Sequence, residues 1–557
     1  NWQGWREVSI PLQQPTAHWG GDGNGALNFP LRLQSILVDS RVQPACGILY
    51  LDDLAYRSAG GSLEFVQVTF HSDRPGGVAW GREPSQFRVT ARNLLLDLPQ
   101  DVEMVLTTAP LGGPAAEERR RFSLGPASER TFAYRPAVSG YGLYQVRVVL
   151  CAGAAQREAL FSFARLPRRS VDAPDVETPF GVCTHFAQGK GKLPLSLELM
   201  AGMGARWLRD EAHWSAIERE KGVYTFPLAF DGYLRAAPQY GIRPLVIFDY
   251  GNALYDGGAA PASREAVSAF ADYAYQLVRR YRNHCRHWEV YNEPNIGFWK
   301  PRPDPRAYAR LLRATYMAAK RADPGCTVVG VCTAGTDLSY IEAVLKEGGL
   351  DYMDALSIHP YRYPRAPEES RFVDALEQCR ALLERYGGGG KPIWITEVGW
   401  PTHHDARGVS EETAADYLVR TYVQAMSLPF VQGVFWYDFQ NDGTDPTNNE
   451  HNFGLIRLDF TPKAGYVAYG MMTRALAGKR FTRRLPVADP VYAYEFAGER
   501  SRTVAAWSAV GKGSLTLQLD ARVVEVWDVR GRCERRQVRE GLLTLEVTGA
   551  PLFVVGR

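Results

Sequence analysis

The chain has 557 residues, and its 64 Lys and Arg against 61 Asp and Glu leave a net charge of +3. This length is several times that of a usual single domain, so we expect two to four domains. The small net charge gives no electrostatic basis for binding nucleic acid or an anionic membrane surface, and no apolar run is long enough to span a bilayer.

Residues 1–58 alternate short apolar strands with glycine-rich turns, which is an all-β pattern. The order GWREVSIPL, HWGG, PLRLQSILVD, GILYLDDL resembles the closing half of a jelly-roll carbohydrate-binding module. We therefore expect a partial module here and a natural chain that continues upstream of Asn1. Asp52 and Asp53 could hold a structural Ca²⁺, with a pair of solvated turn carboxylates as the alternative interpretation.

Short strands separated by turns continue through residues 59–170, and this spacing predicts an antiparallel β-sandwich. A polar, proline-bearing stretch at 167–175 marks a domain boundary. The same strand-and-turn pattern returns at 478–557, where we expect a small C-terminal β-sandwich with a structural role.

Between these regions, at 176–477, apolar strands alternate with amphipathic helices. Eight strands are predicted, at 180–186, 206–210, 243–249, 287–292, 327–331, 355–359, 392–397 and 433–437. Helices with apolar residues at three-to-four spacing are predicted at 262–281, 305–322, 338–346, 373–385 and 410–427. Eight such units indicate a (β/α)8 TIM barrel, whose catalytic groups stand at the C-terminal ends of the strands. A doubly wound open sheet would also alternate, but no glycine-rich phosphate loop follows the first strand.

Two of the predicted strands end in a glutamate. Asn292, Glu293 and Pro294 end the fourth strand, and Glu397 ends the seventh within KPIWITEVGWPT. Strands four and seven face one another across a closed barrel, so both carboxylates should overlook one cavity. Glycoside hydrolysis requires such a pair, and a separation near ~5 Å would select the covalent, retaining route. An isolated Asn-Glu-Pro is more often only a turn.

The segments EVYNEPNIGFW, SIHPY, ITEVGWPT and NFGLIRLDFTPKAGYVAY resemble retaining glycoside hydrolases of clan A, closest to glycoside hydrolase family 39. The resemblance implies that Glu293 is the general acid/base, that Glu397 is the nucleophile and that Asn292 binds the sugar 2-hydroxyl. It implies no metal and no cofactor. Tyr291 departs from the family, where tryptophan is frequent, and so does the sequence after Glu397.

The same resemblance implies roles for other residues at strand ends. Arg209 would hydrogen-bond near the nucleophile, His359 and Tyr361 match a pattern in which the tyrosine hydroxyl contacts the nucleophile, and Trp436 matches the aromatic floor under the sugar. His185, at the end of the first strand, is also placed in the pocket. Taken singly, Arg209 would more often be a surface ion pair, and His185 and Trp436 would more often be core residues.

The loops predicted at the rim carry further aromatic and charged residues. Trp214, Trp299 and Trp400 could extend the cleft or could pack in the core. Cationic residues that could favour an acidic sugar chain are Lys190, Lys192, Lys300, Arg302, Arg362 and Arg365. Acidic residues that argue against this preference are Asp438, Asp442, Asp445 and Glu450.

Eight cysteines lie at positions 46, 151, 183, 285, 326, 332, 379 and 533, without CxxC pairs or the spacing of a metal site. Most are expected to be buried free thiols, and we favour free thiols over a bridge between Cys326 and Cys332.

We therefore expect a retaining glycoside hydrolase that cleaves a β-linked oligosaccharide or polysaccharide. The alternatives are a non-catalytic carbohydrate-binding barrel and a transglycosylase. A carbohydrate is the expected partner. An extracellular or periplasmic location is expected, with the cytoplasm as the alternative. The sequence leaves open the sugar, the linkage position, exo or endo action and the oligomeric state.

Overall fold

A computed structural model describes residues 66–95, 99–138, 140–152, 155–167, 178–499 and 501–556. It contains a closed parallel barrel with strand-rich regions before and after it, so the predicted multidomain fold around a TIM barrel is confirmed. The predicted jelly-roll fragment at 1–58, together with Asp52 and Asp53, lies outside the described residues.

The N-terminal region forms two sheets whose inner faces share one apolar core. One sheet has the order β1-β3-β6 and the other the order β2-β8-β7-β4-β5. Along β3, buried and exposed residues alternate because one face of the strand packs on this core. The strands are β1 (Val66–Ser72), β2 (Val78–Trp80), β3 (Phe87–Asn93), β4 (Gln100–Pro110), β5 (Ala116–Leu124), β6 (Glu129–Tyr134), β7 (Gly142–Ala152) and β8 (Ala155–Leu166).

The barrel closes in the order β9-β10-β13-β14-β15-β16-β17-β18, with every neighbouring pair parallel. Its strands are β9 (Phe180–Cys183), β10 (Trp207–His213), β13 (Arg243–Asp249), β14 (His287–Val290), β15 (Thr327–Ala334), β16 (Ala355–His359), β17 (Ile393–Val398) and β18 (Val431–Trp436). The short hairpin β11 (Glu218–Glu220) and β12 (Val223–Tyr224) lies outside it. All eight predicted strands are present, although β14 ends two residues before the predicted end at 292.

The five helices predicted from amphipathic spacing are present and end within about two residues of their predicted bounds, and four further helices in the described residues were not predicted. Four of the helices begin at a side chain that accepts a hydrogen bond from the first turn: Ser263, Asp304, Asp337 and Ser410. The helices are α1 (Leu195–Met203), α2 (Trp214–Ile217), α3 (Leu228–Ala236), α4 (Arg264–Tyr281), α5 (Pro305–Ala322), α6 (Leu338–Lys346), α7 (Phe372–Arg385), α8 (Glu411–Met426) and α9 (Ala464–Leu476). In the described part of the chain no helix is long and apolar enough to cross a membrane.

The C-terminal region forms a six-stranded sheet and a two-stranded sheet around a separate apolar core. It contacts the barrel through Trp507, whose indole donates to Glu368, and through Gly549, whose carbonyl accepts from Arg420 of α8. The strands are β19 (Arg480–Arg484), β20 (Val491–Ala497), β21 (Arg502–Ser508), β22 (Gly513–Gln518), β23 (Val523–Asp528), β24 (Cys533–Gln537), β25 (Leu542–Val547) and β26 (Leu552–Gly556).

The N-terminal sheets contact α9 and the end of α1. A β-carbon at Gly202 would lie 2.2 Å from the Trp80 ring, so only glycine permits this approach. The Ser162 hydroxyl donates to the carbonyl of Pro462, just before α9. Both strand-rich regions therefore pack against helices of the barrel, and the C-terminal ends of the barrel strands form the site.

The barrel interior is filled by an apolar layer that includes Trp207, Trp394 and Phe435. Polar side chains occupy the space above this layer, at the C-terminal ends of the strands. The described cysteines are free, and those at 183, 285, 326, 332 and 379 are buried, as predicted.

Candidate active site

A strained turn carries Glu293 to the pocket. After β14 ends at Val290, Tyr291 has φ 67° and Glu293 has φ 46°, and Cys332 on β15 has φ 57°. Such left-handed conformations are costly for residues other than glycine and persist where the surrounding structure enforces them. Here the backbone N–H of Glu293 donates to the carbonyl of Cys332 at 3.0 Å, which fixes the turn against the neighbouring strand.

Glu293 and Glu397 meet over one cavity, with His359 between them. Both glutamates are at least nine-tenths buried. His359 Nδ1 lies 2.8 Å from Glu293 Oε1 and 3.5 Å from Glu397 Oε2. One nitrogen of His359 and one oxygen of each carboxylate all lie within 4.8 Å of one another. This proximity of the two carboxylates is compatible with the shorter of the two separations found in glycoside hydrolases.

Glu397 is held by two donors in addition to His359. Arg209 Nη1 donates to its Oε1 at 2.6 Å, and the Tyr361 hydroxyl donates to its Oε2 at 2.7 Å. Burial opposes ionisation of this carboxyl, but the positive charges of His359 and Arg209 and the Tyr361 hydrogen bond outweigh it and lower its pKa. Glu397 is therefore an ionised carboxylate near neutral pH, as a nucleophile must be.

Arg209 joins three groups beneath the pocket. Its Nε donates to Glu289 Oε2 at 2.7 Å and its Nη2 donates to Asn292 Oδ1 at 2.9 Å, besides the contact with Glu397. Because the Asn292 oxygen is bound to Arg209, the NH₂ group of the same amide points away from Arg209. The sequence prediction did not include Glu289, which is fully buried on β14. The only indication of this residue in the sequence was a charge within an otherwise apolar predicted strand.

His359 is fully buried at the end of β16. Its Nε2 lies 3.1 Å from the Thr396 hydroxyl and 3.3 Å from Cys332 Sγ. Burial lowers the pKa of His359, but the negative charge of Glu397 and the contacts with Cys332 and Glu293 raise it well above its usual value. A protonated ring can donate from both nitrogens, so Nδ1 faces the carboxylates as a donor.

The structure corrects the prediction that Trp436 forms the floor under the sugar. Trp436 is fully buried on the outer side of β18, stacked on Trp400 with ring centroids 5.8 Å apart. Alternate residues of a strand face opposite sides, and Phe435 lies in the interior layer, so Tyr437 is the next aromatic ring directed inward. The Tyr437 ring lies 6.2 Å from Tyr361, whose hydroxyl contacts Glu397.

His185 lies in the turn after β9, which ends at Cys183 and so is shorter than predicted. Its Nδ1 is 3.0 Å from Asp442 Oδ1 and 3.3 Å from Asp438 Oδ2. Burial lowers the pKa of His185, but these two carboxylates raise it to about 11. The ring lies 5.7 Å from Tyr437, so His185 stands on the wall beside strands β9 and β18. Lys190 also pairs with Asp442, at 2.9 Å.

The three tryptophans predicted at the rim belong to the core. Trp214, Trp299 and Trp400 are each at most 2% exposed. The indole of Trp214 donates to Glu218, and that of Trp400 donates to the carbonyl of Arg365. Of the two predicted alternatives for these residues, packing is therefore the one that the structure shows.

Three groups of side chains in the described residues bring potential metal ligands within 4.8 Å of one another. They are Glu289 with Cys332 and His359, Glu293 with His359 and Glu397, and His185 with Asp438 and Asp442. In each group a cationic side chain, Arg209 or Lys190, already contacts one of the carboxylates. These contacts neutralise the charge that a metal ion would otherwise balance.

A family model described as glycosyl hydrolase catalytic core matches residues 267–456, which include both glutamates. A β-xylosidase of Caldicellulosiruptor saccharolyticus is 24% identical over 309 residues, which are 49% of this chain and 61% of that protein. A coniferin β-glucosidase of Pinus contorta is 30% identical over 146 residues, which are 25% of this chain and 27% of that protein. The chain thus spans less than two thirds of the length of these relatives.

Solved structures share the fold. A family 39 glycoside hydrolase from Bacteroides cellulosilyticus WH2 aligns with a TM-score of 0.72 and 24% identity, over 88% of this chain and 100% of that one. A family 39 β-xylosidase from Caulobacter crescentus aligns with a TM-score of 0.53 and 18% identity, over 70% of this chain and 98% of that one. These findings confirm the predicted resemblance to family 39 glycoside hydrolases.

Proposed function

We propose that this protein is a retaining glycoside hydrolase that cleaves a β-linked carbohydrate through a covalent glycosyl-enzyme intermediate. The observation that carries the proposal is the pair of buried carboxylates, Glu293 and Glu397, held within 4.8 Å of each other around His359. The match to a glycosyl hydrolase catalytic core over the residues that include this pair supports it.

In the first step, an oxygen of Glu397 forms a bond to the anomeric carbon while the bond from that carbon to the leaving oxygen breaks. Glu293 gives its proton to the leaving oxygen, so the leaving group departs as a neutral alcohol. The hydrogen bonds from Arg209 and Tyr361 keep Glu397 ionised and aimed before the reaction. The amide NH₂ of Asn292 donates to the sugar 2-hydroxyl, where hydrogen bonds strengthen in the transition state.

In the second step, water attacks the anomeric carbon and the bond to Glu397 breaks. Glu293, now a carboxylate, takes the proton of the attacking water. Protonated His359 donates to Glu293 at 2.8 Å and stabilises this anionic form while Glu397 is esterified and uncharged. The pair then returns to its starting state. None of these steps requires a metal ion or an organic cofactor.

The relatives support a β-linked substrate, because one is a β-xylosidase and the other a coniferin β-glucosidase. The acidic residues Asp438 and Asp442 and the pairing of Lys190 with Asp442 weigh against the acidic sugar chain that the cationic rim residues could favour. We therefore propose neutral β-glycosides such as xylosides and glucosides as the first substrates to test.

Trapping the intermediate tests the proposal. The protein is incubated with 2-deoxy-2-fluoro-β-glycosides carrying a dinitrophenyl leaving group, and the peptide that gains the sugar mass is sequenced. We expect the label on Glu397 and none in the Glu397→Gln variant. Proton NMR of early product from an unmodified β-glycoside should show the β-anomer. An α-anomer would overturn the retaining mechanism, and substrate binding without any product would indicate a carbohydrate-binding barrel. Glycosyl transfer exceeding hydrolysis at high acceptor concentration would indicate a transglycosylase.

A further inference from the structure

Two large apolar side chains are exposed on the loop that carries the acid/base. Ile296 is 40% exposed and Phe298 is 44% exposed. The loop is ordered by hydrogen bonds from the Ile296 N–H to the carbonyl of Glu293 at 3.2 Å and from the Tyr291 hydroxyl to the carbonyl of Phe298 at 3.1 Å. Ile296 therefore lies one turn after Glu293, and the backbone that carries both apolar side chains is ordered next to Glu293.

Tyr250, which follows β13, extends this apolar surface towards the pocket. Its ring stacks on Phe298 with centroids 5.6 Å apart and an interplanar angle of 16°. The ring is also held edge-on against Tyr291, and the Tyr250 hydroxyl donates to Glu211 at 3.3 Å. Burial and the charges of Asp249, Glu211 and Glu397 raise the pKa of Tyr250.

The geometry of the proposed reaction determines which part of a substrate would meet this surface. Glu293 must reach the oxygen that joins the sugar to its leaving group, so the leaving group lies on the Glu293 side of the pocket. The sugar ring lies towards Glu397 and the wall formed by Tyr437 and His185. The exposed loop after Glu293 is thus next to the leaving group and away from the sugar.

The exposed side chains of Ile296 and Phe298 offer apolar area and no hydrogen-bonding groups. Asn295, the polar residue between Glu293 and Ile296 that could reach a ligand, is instead bound to the backbone of Ala334 through both ends of its amide and to Asp337. The hydroxyl groups of a second sugar would find no partner on Ile296 or Phe298, whereas an aromatic ring needs none and stacks favourably on another ring.

We propose that Tyr250, Ile296 and Phe298 form a binding site for an aromatic leaving group, so that the preferred substrates are aryl β-glycosides. We call these three residues the aryl platform. This inference rests on the proposed function, because the position of the leaving group follows from the role of Glu293. The platform acts only while the leaving group is present and has no role once the glycosyl enzyme has formed.

The first experiment compares phenyl and methyl β-xylosides and β-glucosides in the wild type and in Phe298→Ala. Each variant is compared with wild type on the same substrate, so the chemical difference between the leaving groups cancels. Loss of the stacked ring should lower kcat/KM for the phenyl glycoside about tenfold and for the methyl glycoside less than about twofold. Phe298→Tyr keeps the ring and should retain wild-type values. Val510→Ala, an exposed apolar residue of the C-terminal region, should change neither substrate.

The second measurement separates the platform from general damage to the site. The hydrolysis rate of the 2-fluoroglycosyl enzyme, from which the leaving group has gone, should be the same in Phe298→Ala and wild type. Equal losses on phenyl and methyl glycosides, a slower second step, or no loss on phenyl glycosides would each overturn the platform.

Failure of the proposed function would be recognised separately, because the wild type would then turn over none of the glycosides. In that case, calorimetry with phenyl and methyl 1-thio-β-glycosides still tests the platform. Phe298→Ala should weaken binding of the phenyl compound about tenfold and leave binding of the methyl compound unchanged. Equal binding of the phenyl compound by both proteins would overturn it.

Discussion

The two carboxylates of the site differ in what surrounds them. Glu397 accepts hydrogen bonds from Arg209 and Tyr361 and lies near cationic His359. Glu293 has His359 as its side-chain partner and stands on a turn bordered by the exposed apolar residues Ile296 and Phe298. One side of the pocket is thus a fixed polar cage, and the other is sparsely bonded and open to a leaving group.

This difference supports the proposed roles of Glu397 as the nucleophile and Glu293 as the acid/base. A nucleophile must remain ionised and fixed in position, and the donors around Glu397 serve both needs. A residue that gives and then takes a proton must be stable in both protonation states, so a dense set of donors would hinder it. Four variants test whether the two sides are as different as the structure indicates.

The largest effect should come from Glu397→Gln. Without the attacking oxygen no intermediate forms, so kcat should fall on the order of 10⁵-fold on every substrate. Steady-state assays over several leaving groups measure this. Glu265→Gln, which changes an exposed carboxylate paired with Lys221, is the matched control and should behave as wild type. Substantial activity in Glu397→Gln would end the assignment of the nucleophile.

Glu293→Gln should show an effect that depends on the leaving group. Poor leaving groups need its proton, so kcat/KM should fall by about 10²- to 10⁴-fold for methyl glycosides and far less for dinitrophenyl glycosides. The measurement is a plot of log kcat/KM against the pKa of the leaving group, which should be steeper for the variant. Parallel plots for variant and wild type would contradict the role of Glu293 as acid.

Tyr361→Phe removes one donor from the cage around Glu397. The hydrogen bond stabilises the ionised form and lowers the pKa of Glu397, so its loss raises that pKa. Because the enzyme is inactive when Glu397 is protonated, the acidic limb of the kcat/KM profile should move to higher pH. The loss of a hydrogen bond to a charged group should lower kcat/KM by about 10- to 100-fold at neutral pH.

The control for this change is Tyr363→Phe. The Tyr363 hydroxyl accepts from Arg407 and its ring packs edge-on against Tyr361, so the aromatic neighbourhood is matched and the carboxylate contact is absent. Its pH profile should coincide with that of wild type. An unshifted acidic limb in Tyr361→Phe would show that His359 and Arg209 alone set the pKa of Glu397.

The smallest effect on activity should come from Trp436→Phe. Trp436 packs against Trp400 outside the barrel strands, so its truncation should reduce the free energy of unfolding by about 1–3 kcal/mol and leave KM unchanged. Thermal denaturation and steady-state kinetics measure the two quantities. Tyr437→Ala should instead raise KM. A higher KM in Trp436→Phe would restore the role first predicted for it.

The sequence by itself determined the barrel and the two glutamates. Eight apolar strands that alternate with amphipathic helices are compatible with few folds other than a closed barrel. Glu293 and Glu397 could be assigned to strand ends without knowing which face of the strand each neighbouring residue occupies. The five predicted helices were equally readable, since the apolar spacing that predicts them depends only on nearby residues. These features depend on contacts within a few residues or on the period of the pattern.

Only the tertiary structure decided which neighbours of those strand ends face the pocket. From Gly433 to Trp436, strand β18 is buried on both faces because the interior layer and the helices each cover one, so these residues show no alternation that would separate Trp436 from Tyr437. Glu289 was hidden for a related reason: its partner Arg209 lies 80 positions away along the chain. The side to which a strand residue faces, and the pairing of residues that are distant in sequence, are determined only when the barrel closes. The same closure determines where the exposed apolar loop after Glu293 lies relative to the pocket.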